Sequence, residues 1–242
     1  RVDRRQRQMC IRDRSMTDLL GGKGANLAEM SLLGINVPPG FTVTTEVCNY
    51  FMKHGNVPDN LDEELKQSLK NLEKTTNKIF DSDKKPLLLS VRSGGKISMP
   101  GMMASILNIG INDKNLESLS SDFNDERFAL DSYRRLIQMY GNVVLNIEMD
   151  RFEAILDNKK RIDGVENDNE FNPDQLRWII DAFKTTIERF SKKSFPQDPN
   201  IQLNGAIEAV FKSWSNKRAV TYRKINNIPD EWGTAANVQS MV

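Results

Sequence analysis

Helix-forming and strand-forming signals are kept apart along this chain. From about Asp125 to Arg223 the pattern is almost wholly helical, and the strand-like runs lie before and after it. Ala129, Tyr133, Leu136, Ile137 and Tyr140 fall on one stripe, with Gly141 read as its stop. Asn172 reads as an N-cap, with Pro173 at the first helical position and Gln175 completing a capping box. Leu176, Ile180, Phe183, Ile187 and Phe190 form that helix's apolar face. Asp198 and Pro199 open another helix, carrying Leu203, Ile207, Val210, Phe211 and Trp214. Such stripes read as core rather than as cofactor boxes.

The flanks read differently. Leu19 to Leu27 is a glycine-rich turn running into a helix, on which Leu27, Met30 and Leu33 follow at helical spacing before Gly34. Pro38, Pro39 and Gly40 make a turn, Phe41 to Thr44 a short strand, and a helix from about Glu46 to His54 stops at Gly55. Leu61, Leu65, Leu72, Ile79 and Phe80 give a longer amphipathic helix. Leu87 to Val91 reads as a strand buried on both faces, delivering Arg92 to its end. Another strand is read around Ile106 to Ile111. Thr234 to Val242 alternates like a strand and, as the last element, would stand as an open sheet edge. The chain is therefore expected to be part of a longer protein.

Composition excludes several classes. The 242 residues are 38% hydrophobic and 28% charged, with a net charge of +1. No run of about eighteen apolar residues exists, so no membrane span is expected. The arginine-rich start is not a secretory signal. Cys10 and Cys48 have neither metal-ligand spacing nor a disulfide framework, which fits a reducing cytoplasm. Arg1 to Arg14 holds six arginines, two aspartates and no lysine, whereas the remainder uses lysine freely. Residues 1–15 are expected to be a non-native or disordered leader outside the fold, although a basic arm that binds nucleic acid has the same composition. No nucleic-acid partner is expected. The one histidine, His54, sits at a helix end and is read as a surface or capping residue.

Three segments can carry chemistry. Gly21-Gly22-Lys23-Gly24 places glycines and a lysine at the start of a helix, where backbone N–H groups and the helix dipole favour an anion. It lacks the spacing of a Walker loop, and by itself it serves equally as a tight turn at a helix start. Arg92, followed by Ser93-Gly94-Gly95, suits a polyphosphate because a guanidinium contacts two oxygens at once, and it suits a structural ion pair equally well. Ser98-Met99-Pro100-Gly101-Met102-Met103 can fold over phosphates, while its methionines also suit ordinary core packing.

The strings LLGGKGANLAEM, VPPGFTVTTEVCN, LLLSVRSGGKISMPGMM, LNIGIND, AIEAVFKSW and GTAANVQSMV resemble the pyruvate, phosphate dikinase family, in that family's order and spacing. The resemblance spans about Asp18 to Val242. It implies an α+β fold: an ATP-grasp-type nucleotide-binding domain with an inserted helical subdomain, incomplete at the C-terminus. The expected divisions are 16–112, a helical insertion over 113–198, and a return into the ATP-binding part over 199–242. The resemblance also implies interconversion of pyruvate, ATP and phosphate with phosphoenolpyruvate, AMP and diphosphate, using Mg2+. In that family a histidine on a swivelling domain carries the phosphoryl group to a barrel domain, and the parent enzyme is expected to be a homodimer. Lys23 then falls on a phosphate-contacting lysine, Arg92 on a catalytic phosphate-clamping arginine and Gly101 on the loop over the phosphates. Ser105 falls on a hydroxyl reaching phosphate or metal, and Gln239 on a glutamine in the strand beside the adenine. Ala104-Ser105 stands where Asp-Thr is the family pattern, and no metal ligand is assigned within the chain. The fragment alone is not expected to complete the reaction. A related dikinase of the phosphoenolpyruvate synthase or rifampin phosphotransferase type, or a non-catalytic nucleotide-binding module, are the alternatives.

Overall fold

A computed structural model describes residues 16–242, so the leader expected over residues 1–15 lies outside the described residues. In chain order the elements are helix α1 (Thr17–Leu32), strand β1 (Gly40–Val43), α2 (Thr45–His54), α3 (Leu61–Thr76), β2 (Leu89–Gly95), β3 (Ser105–Ile109), α4 (Leu116–Phe123) and α5 (Glu126–Val143). They continue with α6 (Met149–Asp163), α7 (Pro173–Ser191), α8 (Pro199–Ser213), α9 (Lys217–Ile225) and β4 (Thr234–Ser240). The mixture of helix and antiparallel strand is α+β. No helix among the described residues is long and apolar enough to cross a membrane.

The chain divides into two compact units. The first takes the described residues up to Lys78, Leu89–Ser105 and Gly205–Val242; the second takes Ile79–Leu88 and Ile106–Asn204. The sequence reading places the helical part at 113–198. The second unit is wider, in part because Gln202 accepts a hydrogen bond from Gly110 N at 2.9 Å and donates one to Ile111 O at 3.0 Å.

In the first unit β4 is central. It pairs antiparallel with β1, Phe41 opposite Val238, and with β2, Val91 opposite Val238. The last strand is therefore not an open edge, and Ala235, Ala236 and Val238 in it are fully buried. β2 also departs from expectation. Arg92 lies in mid-strand rather than at the end, and Gly94 and Gly95 pair with Ala235 and Thr234 instead of opening a loop. Glycine weakens a strand, but pairing along the whole of β2 keeps these two in the ladder.

Helix α1 buries Leu20, Gly21, Gly24 and Ala25. Met30 and Leu33, which share the helical spacing, are exposed instead, so α1 lies against the sheet through its small residues. Helix α2 stops at Gly55, at φ 77°, whose N–H donates to Phe51 O at 2.8 Å. Helix α3 buries Leu61, Leu65, Leu69 and Leu72 but ends at Asn77 in the left-handed region. Ile79 thus falls beyond the helix and is exposed.

The second unit follows its periodicity closely. Leu130, Tyr133, Leu136 and Ile137 of α5 and Leu176, Phe183 and Ile187 of α7 are fully buried. Phe152 of α6 meets Phe183 edge-on at 5.0 Å, and Phe195 meets Tyr133 and Tyr140 at 5.9 and 5.6 Å. The capping box forms as expected: Asn172 Oδ1 accepts from Gln175 N at 3.0 Å, and Gln175 Oε1 accepts from Asn172 N at 2.8 Å. Two details differ. Gly141 does not stop α5 but sits inside it, where a Cβ would come within 2.5 Å of the Phe152 ring. Phe190, at the far end of the α7 stripe, is exposed.

Candidate functional site

The first unit holds an open cleft of about 380 Å³. Gly22, Lys23 and Asn26 of α1 form one wall, and Ser93 and Gly95 of β2 form another. The segment from Lys96 to Gly101, with Met103 and Ser105, completes the lining.

Local chemistry explains why α1 presents Lys23 here. Gly21 has φ 67° and ψ 169°, which interrupts the helix, and the run beginning at Gly22 puts Lys23 in a new first turn. A Cβ on Gly21 would lie 1.6 Å from Gly94 O, so only glycine permits this approach of α1 to β2. A Cβ on Gly24 would come within 2.9 Å of Asn237 Oδ1, and one on Gly94 within 2.3 Å of Asn237 Nδ2. The glycines therefore make room for a buried amide as well as for the turn. Asn237 Oδ1 accepts from Thr42 Oγ1 at 2.8 Å, whereas its Nδ2 is buried with no partner.

The cleft is electropositive. Among the described residues its lining includes Lys23 and Lys96 and no carboxylate. The pKa of Lys23 is lowered, first by desolvation and second by the charge of Arg92. Among the described residues no carboxylate pairs with Lys23 or with Arg92. Lys96 is held by an ion pair with Asp18 and lies 4.5 Å over the Trp232 ring.

The structure brings Lys23, Gly101 and Ser105 together on this cleft and leaves two expected residues off its lining. Arg92 is exposed in mid-strand opposite Asn237, where its charge still reaches Lys23. Gln239 donates from Nε2 to Pro38 O at 3.2 Å. Gly101 has φ 71°, in the region that favours glycine. His54 is exposed and lies 4.3 Å from the Tyr50 ring, and Cys48 is buried with its thiol pushed up to about 11, chiefly by desolvation.

A family model described as "Pyruvate phosphate dikinase, AMP/ATP-binding domain" matches residues 17–82 and 69–242. The chain belongs to this family. It is 50% identical to the pyruvate, phosphate dikinase of Rhizobium meliloti over 93% of this chain and 25% of that protein. It is 51% identical to the same-named protein of Rickettsia bellii over 94% of this chain and 26% of the relative. For Clostridium symbiosum the identity is 46%, over 94% and 26%. The chain thus spans about a quarter of the length of these curated relatives. In this member of the family, sequence reasoning missed Asn26 and Lys96 on the cleft and Asn237, buried behind the glycines of α1 and β2. Asn26 lies three residues beyond Lys23 on the same helix face. Lys96 was legible in principle, because Gly94-Gly95-Lys96 repeats the tripeptide Gly21-Gly22-Lys23. Nothing local marks Asn237.

Among the described residues no group of three or more His, Cys, Asp or Glu side chains could hold a metal ion. With no carboxylate on the described lining of the cleft either, these residues do not fit a resident Mg2+, and no step is assigned to one.

Proposed function

We propose that the cleft binds the polyphosphate of ATP. The observation that carries this is Lys23, which pairs with no carboxylate among the described residues, on a cleft whose described lining also includes Lys96, in a chain of an AMP/ATP-binding family. In this reading Lys23 neutralises phosphate charge at the start of a helical run, and the Gly101 loop lies along the phosphates. The Ser105 hydroxyl supplies a hydrogen bond. Arg92 acts on the transferring group from beside the cleft, and Gln239 acts in the strand beside the adenine. The same proposal takes the sheet-bearing unit as ATP-grasp-type, with the helical unit as its insertion.

The activity proposed for the longer protein is that named for its relatives, with pyruvate and phosphate as further substrates and a phosphohistidine relay through swivelling and barrel domains. A homodimer and a cytoplasmic setting belong to the same proposal. The chain by itself does not complete the reaction in this reading, because its one histidine, His54, stands at the exposed end of α2 and not on a swivelling carrier domain. Catalysis in such a site consists of positioning and charge neutralisation.

Calorimetric titration with ATP tests the reading. The 242-residue chain binds ATP, and Lys23→Met weakens binding roughly tenfold or more, as for the loss of a charge-assisted contact. Equal affinity of parent and variant would remove Lys23 from the site. Failure of the parent to bind ATP would remove the site itself.

A further inference from the structure

The segment between β2 and β3 that lines the cleft is tied down by residues far away in sequence. Met102 N donates to Met99 O at 3.3 Å, closing a turn around Gly101. Met99 is buried with Trp214 and Ile228, and Met102 and Met103 pack against that cluster. Ala104 N donates to Ser213 Oγ at 3.1 Å. The most direct tie comes from Asn216, whose Nδ2 donates to Met102 O at 2.6 Å.

Asn216 does two things with one side chain. Its Oδ1 accepts from Ala219 N at 2.7 Å and so caps α9, while its Nδ2 holds the carbonyl next to Gly101. Helix α9 is itself fixed. Arg223, 2% exposed, donates from Nε and Nη2 to Asp230 Oδ1 at 2.9 and 2.7 Å, and from Nη1 to Trp214 O. Its guanidinium also stacks 4.1 Å over the Trp214 ring. A capped, pinned helix thus presents one amide N–H to a loop whose glycine would otherwise leave it many conformations.

We propose that Asn216 is a positioning residue, which fixes the Ser98–Met103 loop at the cleft and thereby sets affinity for a polyphosphate ligand. The affinity clause rests on the reading of the cleft as a nucleotide site. Asn216 does not line the cleft, so its effect passes through the loop backbone.

Two substitutions separate the capping role from the loop role. Asn216→Asp and Asn216→Ser both keep an oxygen that caps α9 and both remove the amide donor, and the serine adds no charge. Three measurements are made on the 242-residue chain: thermal midpoint, amide hydrogen exchange at Gly101 to Ala104 without ligand, and ATP titration. In both variants the midpoint holds within about 2 °C, loop exchange accelerates severalfold, and ATP affinity falls roughly three- to tenfold, the loss of one hydrogen bond. Unchanged exchange and affinity in both variants overturn the proposal. A fall in affinity that comes with a midpoint drop of many degrees in both variants also overturns it, because the residue would then act through the stability of α9. A parent chain that binds no ATP overturns the nucleotide reading, and with it the affinity clause, before any substitution is made.

Discussion

Arg134 in the helical unit and Lys23 in the sheet-bearing unit are both cations, but their surroundings are opposite in kind. Arg134 is 2% exposed and meets Asp131 at 2.7 Å and Asp168 at 3.5 Å, with Gln138 accepting a further hydrogen bond at 3.1 Å. Burial alone would raise the Asp168 carboxyl. The hydrogen bond from Lys160 and the charge of Arg134 outweigh it and hold the pKa low. Lys23 keeps much of its side chain in solvent yet is partly desolvated beside a second cation, Arg92, with no carboxylate partner among the described residues. Charge that the fold has already compensated serves structure. Charge left uncompensated on a cleft is free to meet an anion.

Glycine use shows the same division. Gly21 faces the backbone of another element, and Gly141 faces the tip of a side chain. Gly21→Ala should cost about 5 kcal/mol, since it combines a backbone collision with a positive φ that alanine disfavours. Gly141→Ala should cost only about 1–2 kcal/mol, because the Phe152 ring can shift and alanine favours the helix. Denaturant midpoints of the two variants check this. Equal costs would mean that the close approach of α1 to β2 is not fixed.

A smaller effect sharpens the helical side. Asn172→Ala removes the cap of α7 and should lower stability by about 1 kcal/mol in the same measurement. No loss would show that α7 is held by its apolar face alone.

The smallest effects concern pH, and their signs differ. Asp168 has a depressed pKa, so its stabilisation is present above the ordinary aspartate value of 3.8 and is lost as pH falls through the lowered value. Asp168→Asn should lower the thermal midpoint by about 2 °C at pH 7 and match the parent in strong acid. Lys23 binds its proton less readily than a free lysine. Its charge therefore costs stability below its lowered pKa, and the cost is relieved as pH rises toward 10.5. Lys23→Met should raise the midpoint slightly at pH 7, with the difference shrinking at alkaline pH, while ATP affinity falls. A lower midpoint for Lys23→Met would mean that this lysine serves the fold, and the contrast with Arg134 would be lost.

The helical unit was largely readable from the chain because its information is local. A 3.6-residue period marks the buried faces of α5 and α7, and a cap four letters long marks where α7 begins. Lys23 and Gly101 were singled out for a related reason, since each sits within a contiguous glycine- or methionine-rich string, whereas Ser105 was marked by the family resemblance alone; all three line the cleft. The misreadings lie where a residue's role is set by distant chain. Arg92 fell in mid-strand because pairing with β4 carries β2 on through its glycines. The last strand became central rather than an edge because β1 and β2 flank it from far upstream. Met30 and Leu33 of the α1 stripe stayed in solvent because close packing on the sheet selected the face bearing Leu20, Gly21, Gly24 and Ala25. Asn237 meets Thr42 across 195 positions, and Asn216 meets Met102 across 114. Each is an ordinary asparagine in sequence. A single buried or donated amide hydrogen bond has no periodicity and no composition bias, so only the tertiary structure decides which asparagines hold the site together.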